Sequence, residues 1–474
     1  MSDHYDVAVI GSGPGGYSAA IRSGQLGKSV ICIEKCGEDQ TPILGGTCLN
    51  VGCIPSKALL DSSYEYHKAI NQSSDHGIKI NDISLDLNQM LTRKEKVVDD
   101  LTKGVSGLFK LNKVKSLKGF AKIKKDLSIE VTDEEGSLNL ITADNIVLAT
   151  GSKPAELDFS PTDQKSIITS KEALSLKQTP SQIIIIGSGA IGLEIGSIWS
   201  RLGSKVILLE ELEQLLPQAD KQVSTSAMKI FKNQGLDIRL GTKIESAEKK
   251  EEKVLIRFGE ESLEADKLIV AAGRVSYFED LLDEGIDLEL DSNGSINVNQ
   301  FCETNLKGLY AIGDVVRGPK LAHKASEEGI MVAENIAGLN SSLDYELIPF
   351  VIYTHPEIAW VGKNEDQAKK MGIDYESASF PFSLNGRSLA NKEEQGFVKM
   401  IVDKKKDAIL GVHIIGSNAS ELIQQAIIAI KTELSAEKLG SLIFSHPTQS
   451  EAIKETASLI NSKAIHISNR KRKK

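Results

Sequence analysis

Gly45-Gly46-Thr47-Cys48-Leu49-Asn50-Val51-Gly52-Cys53-Ile54-Pro55-Ser56-Lys57 sets two thiols five positions apart, with a lysine four residues beyond the second. Such a pair can exchange with a disulfide, hold a metal or sit inert in a core. In a regular helix their Cα atoms would lie roughly 8–9 Å apart, beyond the ~7 Å limit for bridging, so a bridge requires a distorted first turn. Gly52 makes that distortion feasible, and Pro55 is best tolerated near a helix start. A constrained bridge on an intracellular chain is labile and suited to catalysis. The metal reading lacks a second matching pair or a nearby histidine; two inert buried thiols remain an alternative. Thiol exchange also needs a base, and histidine is the usual one. Of eight histidines, His446 differs from the rest. It opens His446-Pro447-Thr448-Gln449-Ser450-Glu451, where Pro447 restrains its backbone and Glu451 begins a helical run. A carboxylate bonded to one ring nitrogen would fix the tautomer and raise basicity at the other; the plainer alternative is a structural turn histidine.

The elements around these residues form a repeated frame. Val7 to Ile10 is an apolar run ended by Gly11-Ser12-Gly13-Pro14-Gly15-Gly16; Tyr17 to Leu26 reads as a helix stopped at Gly27, and Val30 to Ile33 as a second strand capped by Glu34. Strand, glycine turn, helix, strand and acid make a dinucleotide-binding unit. Gly11 makes the tight turn, Gly13 lets backbone approach a pyrophosphate, and Gly16 lets helix pack on strand. The helix amino terminus favours phosphate, and Glu34 can accept from ribose hydroxyls. The unit returns at Ile183 to Ile186, then Gly187-Ser188-Gly189-Ala190-Ile191-Gly192, a helix through Leu202, and Val206 to Leu209 closed by Glu210. Both offsets are 176 residues, from 11 to 187 and from 34 to 210. No Arg or Lys follows Glu210 in Glu211-Leu212-Glu213-Gln214, so the second unit favours the free ribose of NAD over NADP.

Asn145 to Thr150 leads to Gly151, and Leu268 to Ala272 leads to Gly273-Arg274; these small-residue turns are sensible exits from one fold to the next. Glu248 to Lys253 reads as a solvated hairpin. Phe350 to Gly362, Phe397 to Val402 and Ile409 to Ile415 read as strands, with an apolar helix from Leu422 to Ile430, which suggests an α+β domain. The expected class is α/β: two Rossmann-like dinucleotide-binding domains (1–150 and 151–275), a central segment (276–348) and a C-terminal α+β domain (349–474) with a basic tail, Arg470 to Lys474, that is expected to be solvated.

With 474 residues the chain is long enough for about three domains. Its net charge of −9 argues against a dedicated nucleic-acid binder. No apolar run approaches the roughly 18 residues of a membrane span. Five cysteines cannot all pair within the chain and are too few for a disulfide framework. The amino terminus lacks a basic flank and an apolar h-region, so the mature chain is expected to start there, in the cytoplasm, or in the mitochondrial matrix if a transit peptide was removed.

GGTCLNVGCIPSK resembles the redox motif of the flavoprotein pyridine nucleotide-disulfide oxidoreductases with two dinucleotide folds, and CLNVGCIPSK is most similar to members that oxidise dihydrolipoamide. The likeness runs through GSGPGGY, GFAKI, LATGSKP, GSGAIGLEIGS, GLYAIGDV, LAHKASEEG and HPTQSE, in the family's order. It implies an enzyme using FAD and NAD. Gly11, Gly13, Gly16, Glu34, Ala121, Gly151, Asp314 and Ala322 would hold FAD, with Asp314 on its polar chain, Ala322 at the flavin ring and Ala121 at the adenine. Lys57 and Glu194 match an ion pair beside the flavin. Gly187, Gly189, Gly192, Glu210, Ile244 and Gly273 would line the NAD site.

The same resemblance makes Cys48–Cys53 the redox disulfide, with Cys48 the interchange thiol and Cys53 nearer the flavin, and makes His446 with Glu451 the base dyad. Phe444 departs from relatives that carry a second histidine there, with little effect expected. Cys32, Cys36 and Cys302 are left as bland thiols. The implied partners are a second copy in a homodimer whose histidine completes the opposite site, the lipoyl-bearing acyltransferase core of 2-oxoacid dehydrogenase complexes, and the lipoyl protein of glycine cleavage. Glutathione-type reductases are disfavoured by Glu210. Mercuric-type reductases are disfavoured by the lack of any cysteine after Cys302. A structural or binding subunit is the reading from outside enzymes.

Overall fold

The computed structural model describes residues 3–35 and 44–469; Cys36 and the basic tail lie outside the described residues. The first sheet has seven strands, ordered Val114–Lys118, Val30–Glu34, Asp3–Ile10, Leu138–Leu148, Ile129–Thr132 and Phe120–Ile123, with Leu309–Ala311 also paired to Leu138–Leu148. Leu138–Leu148 changes neighbours along its length. Residues 138–141 pair antiparallel with Ile129–Thr132, whereas Ile146 to Leu148 run parallel to both Asp3–Ile10 and Leu309–Ala311. The central segment thus returns to the sheet that the amino terminus began.

The second sheet is wholly parallel, ordered Asp237–Arg239, Lys205–Leu209, Gln182–Ile186, Lys267–Val270 and Ile167–Ile168. Its Ile183-Ile184-Ile185-Ile186 run has no polar alternation because both faces are covered. Ile183 and Ile185 join Val206 and Leu208 in one core; Ile184 and Ile186 join Ile207 and Leu209 in another. Alternate side chains of a strand point to opposite faces, and each fully buried one stabilises by about 1.5–3 kcal/mol. Ser152–Pro154 and Arg274–Ser276, the two connections between the nucleotide folds, lie against each other as an antiparallel pair. The solvated hairpin expected at 248–253 is present, as Ser246–Lys250 paired with Lys253–Phe258.

The C-terminal domain is an antiparallel sheet ordered Phe350–Ile352, Glu357–Gly362, Ile409–Gly416, Phe397–Asp403 and Tyr375–Pro381. Helices Ala419–Lys431 and Glu451–Ile460 pack into its core. Here one expectation is corrected: Phe350 to Gly362 is not one strand but two, antiparallel to each other. The turn between them contains Pro356, which cannot donate to a ladder and interrupts a central strand. Among the described residues no helix is long and apolar enough to cross a membrane.

Candidate active site

The thiol pair sits where a helix is broken. Helix Gly46–Val51 carries Cys48, helix Cys53–Asn71 begins at Cys53, and Gly52 between them has φ −129° and ψ −109°. The distortion expected of a first turn is thus a full break. A Cβ on Gly52 would lie 2.9 Å from the Thr47 carbonyl oxygen, so the break has no room for a side chain. It turns two positions that a regular helix would separate toward one another: the Cys48 and Cys53 thiols are hydrogen-bonded, both partly exposed and unbridged.

Their environments differ in sign. Cys53 is drawn down to about 7, first by the Cys48 hydrogen bond and then, against burial, by the Lys57 charge, with Glu194 opposing. Cys48 is pushed upward by the same hydrogen bond and by burial. The pair is thus polarised, with the Cys53 thiol drawn down and the Cys48 thiol pushed up.

Lys57 lies one turn beyond Cys53, and its Nζ is 2.8 Å from Glu194 Oε2. Burial pulls the ammonium down, yet Glu194 outweighs it and leaves Lys57 above its ordinary value. Glu194 is buried at 5% exposure, on helix Ala190–Arg201 of the second fold. Its other oxygen accepts from the Tyr353 backbone N–H at 2.9 Å, and the Tyr353 ring lies 4.6 Å from the Lys57 ammonium. Tyr353 escaped sequence reasoning because a backbone donor leaves no signature in residue type.

Around the first glycine turn, Gly11 has φ +98° and Gly16 a Cβ site only 1.8 Å from the Gly11 carbonyl oxygen, while a Cβ on Gly13 would meet nothing nearer than Gly46 at 4.0 Å. The second turn repeats this: Gly187 has φ +98°, Gly192 would strike Gly187 O at 2.0 Å, and Gly189 is open. Open space over the middle glycine, at a helix amino terminus, suits a pyrophosphate. On that test both turns fit the pyrophosphate of a dinucleotide. Glu34 Oε2 accepts from Ser12 N and Oγ at 2.6 Å each; Glu210 Oε2 accepts from Ser188 N and Oγ at 2.9 and 3.0 Å. Both acids are thus fixed by the serine between the first two glycines, a repeat element that sequence reasoning missed. Burial raises Glu34 despite those bonds.

Asp314 follows Gly313 beyond the strand Leu309–Ala311. Its Oδ2 accepts from Ser152 Oγ at 2.5 Å and its carbonyl from Lys320 Nζ at 2.7 Å, and Arg274 Nε donates to Ser152 Oγ at 2.7 Å. Ala322 opens helix Ala322–Ile336. Gly151 and Gly273, at φ +74° and +115°, flank the paired connections. Ala121 and Ile244 are buried, at 3% and 7% exposure.

His446 Nδ1 lies 2.9 Å from Glu451 Oε1, and Glu451 Oε2 accepts from Thr448 N at 2.9 Å. Burial opposes, but those two bonds hold Glu451 below its ordinary value, so it stays ionised beside the imidazole. The dyad is formed, yet within one chain it does not meet the thiols: His446 is 76% exposed and has no hydrogen bond or ion pair with either cysteine among the described residues. Leu442 and Ile443, at 47% and 98% exposure, precede it, while Phe444 packs against the domain core.

A model of the pyridine nucleotide-disulphide oxidoreductases matches residues 5–329, and one of that family's dimerisation domain matches residues 348–457. Dihydrolipoyl dehydrogenase 1, mitochondrial, of Arabidopsis thaliana is 44% identical over 472 residues, covering 98% of this chain and 92% of the relative. Dihydrolipoyl dehydrogenase of Cupriavidus necator is 43% identical over 479 residues, covering 98% and 100%. Among solved structures, the Cu(II) complex of the HOCl-induced flavoprotein disulfide reductase RclA of Escherichia coli superposes with a TM-score of 0.86 at 26% identity, covering 97% of this chain and 100% of that one.

Proposed function

The chain belongs to the pyridine nucleotide-disulphide oxidoreductase family, and from that premise we propose that it oxidises protein-bound dihydrolipoamide to lipoamide and reduces NAD to NADH. The observation that carries this reading is the polarised thiol pair beside the Lys57–Glu194 ion pair. Attack on a disulfide is fastest when the departing sulfur is the more acidic thiol. A substrate thiolate that attacks Cys48 of the oxidised pair expels Cys53, the sulfur held down to about 7. The substrate's second thiol, deprotonated by His446, then closes lipoamide and releases Cys48, which leaves both cysteines reduced. Glu451 holds the imidazole through Nδ1, so Nε2 faces the substrate.

FAD would be held by Gly11, Gly13, Gly16, Glu34, Asp314 and Ala322, with Ala121 and Gly151 at its edges, and when bound would supply the two-electron relay between the dithiol and NAD. NAD would be held by Gly187, Gly189, Gly192, Glu210, Ile244 and Gly273. Lys57 and Glu194 keep charge balanced as Cys53 alternates between thiolate and disulfide sulfur.

The family's dimerisation domain makes the protein a homodimer. The exposed His446 dyad, with Leu442 and Ile443 beside it, supports a site completed by the second copy. The acyltransferase core of a 2-oxoacid dehydrogenase complex, or the lipoyl protein of glycine cleavage, is the source of dihydrolipoamide that suits this chemistry. The cytoplasm or the mitochondrial matrix is the matching location. Steady-state turnover with dihydrolipoamide plus NAD, set against glutathione disulfide plus NADPH, tests the reading; turnover with the second pair alone overturns it.

A further inference from the structure

Leu321-Ala322-His323-Lys324-Ala325-Ser326-Glu327-Glu328-Gly329 contains two buried charged residues, Lys324 and Glu328, that the cycle above leaves without a task. Lys324 and Glu328 lie one turn apart on helix Ala322–Ile336; both side chains have 0% exposure, and Nζ is 3.3 Å from Oε1. A buried ion pair is a poor stabiliser unless its remaining donors and acceptors are also satisfied. Here they are satisfied largely by one residue. Gly313 N–H donates to Glu328 Oε2 at 2.7 Å, and Lys324 Nζ donates to the Gly313 carbonyl at 2.9 Å. Opposite charges thus grip both polar groups of a glycine whose φ is +76°. Tyr345 O–H donates to Glu328 Oε1 at 2.7 Å.

The gripped turn leads directly into Asp314, and Ala322 begins the helix that supplies the grip. The same helix rides against the first glycine turn: a Cβ on Gly329 would lie 2.4 Å from the Gly15 carbonyl oxygen. Three parts assigned to FAD, namely the Gly11–Gly16 turn, Asp314 and Ala322, are therefore linked through this helix and through Gly313.

We infer that Lys324 and Glu328, with Tyr345 behind them, are positioning residues for FAD: they clamp Gly313 so that Asp314 and Ala322 keep register with the glycine turn of the first fold. The inference rests on the FAD reading of those residues. Its test compares holoenzyme carrying Glu328→Gln, Lys324→Met or Tyr345→Phe with Lys399→Met, which breaks a different buried ion pair, to Asp220 at 2.7 Å, between the second fold and the C-terminal domain. The readouts are the rate of FAD release by fluorescence, the visible circular dichroism of bound flavin, and the melting temperature. Glu328→Gln and Lys324→Met are expected to speed release by about tenfold or more and to alter the flavin dichroism, Tyr345→Phe by a smaller factor. Lys399→Met should lower melting while leaving release and dichroism at wild-type values. Wild-type release in Glu328→Gln and Lys324→Met, or equal loosening by Lys399→Met, overturns the clamp. Should the two charge variants fail to fold, Tyr345→Phe decides, because it removes only the hydroxyl, with its bonds to Glu328 and to Cys302 Sγ at 3.8 Å, and unchanged release in it is also refuting. A wild-type protein that binds no FAD refutes the functional reading instead.

Discussion

Replacing Lys57 with methionine keeps most of the side chain's bulk and removes its charge. Cys53 is held down to about 7 by the Cys48 hydrogen bond and by Lys57, while Glu194 pushes the other way. Without Lys57, the Glu194 carboxylate, 5% exposed, keeps its bond to the Tyr353 N–H but loses its cation at 2.8 Å. Cys53 then loses an attraction and faces an unopposed repulsion, both of which favour the neutral thiol. A nearby opposite charge lowers an acid by about one to three units, so losing it should raise the thiol by about one to two units, each about 1.4 kcal/mol. At neutral pH its thiolate fraction falls from about half to between roughly a tenth and a hundredth. The assay is the pH dependence of iodoacetamide alkylation in the anaerobically reduced protein, with Cys53 and Cys48 peptides resolved by mass. In wild type Cys53 should alkylate first, with a midpoint near 7; in Lys57→Met the midpoint moves up, and in Lys57→Arg it stays near wild type. A midpoint that holds still or falls in Lys57→Met refutes the electrostatic account of the pair.

At the second fold, Glu210→Ala removes the carboxylate fixed by Ser188 and by Leu212 N–H at 3.0 Å; kcat/KM for NAD should drop by about ten- to a hundredfold and the preference over NADP shrink, and an unchanged ratio contradicts the ribose role. Gly13→Ala should weaken FAD binding with little change in apoprotein melting, whereas Gly16→Ala, whose Cβ would sit 1.8 Å from Gly11 O, should lower both; titration of apoprotein with FAD and a melting curve separate them. Cys53→Ser should abolish the long-wavelength absorbance band that anaerobic two-electron reduction produces in the wild type, and persistence of the band would remove Cys53 from the flavin-side position. His446→Gln and Glu451→Gln should each lower dihydrolipoamide oxidation, the former by about a hundredfold or more. Mixing Cys48→Ser with His446→Gln subunits under exchange should restore activity, and no recovery refutes a site shared between copies.

What could be read in the sequence follows from which interactions leave a trace in residue type. Gly11, Gly16 and their repeats are dictated by carbonyl oxygens less than 3 Å from the missing Cβ, so the pattern survives as letters. Glu34 and Glu210 were readable by position, whereas Ser12 and Ser188, which fix them, stand among glycines that already explained the turn. Gly52 signalled distortion, but only the structure separates its two helices. The strand assigned to Phe350–Gly362 failed because it ran through Thr354-His355-Pro356-Glu357, a polar, proline-bearing interruption that marks the turn delivering the Tyr353 N–H to Glu194. Lys324 and Glu328 were unreadable as a clamp, since an i,i+4 Lys–Glu pair in sequence normally describes a solvated helix face.

Glu194 shows how two copies of one frame become a single site. The 176-residue offset places it opposite Ser18 of the first unit. The two helices therefore differ at a position one turn inside the amino terminus, where the first carries a hydroxyl and the second an acid. That acid reaches out of its own fold to Lys57, on the helix that begins with Cys53. The helix whose amino terminus is proposed to meet the NAD pyrophosphate thus also carries the counter-charge of Lys57. The C-terminal domain holds the same carboxylate from its other side, through Tyr353 N–H. Three domains converge on one ion pair, so a shift of the second fold relative to the first changes the charge felt at Cys53. Both frames carry the same serine–glutamate lock, and Glu194 is the residue of the second frame that reaches the lysine of the thiol pair.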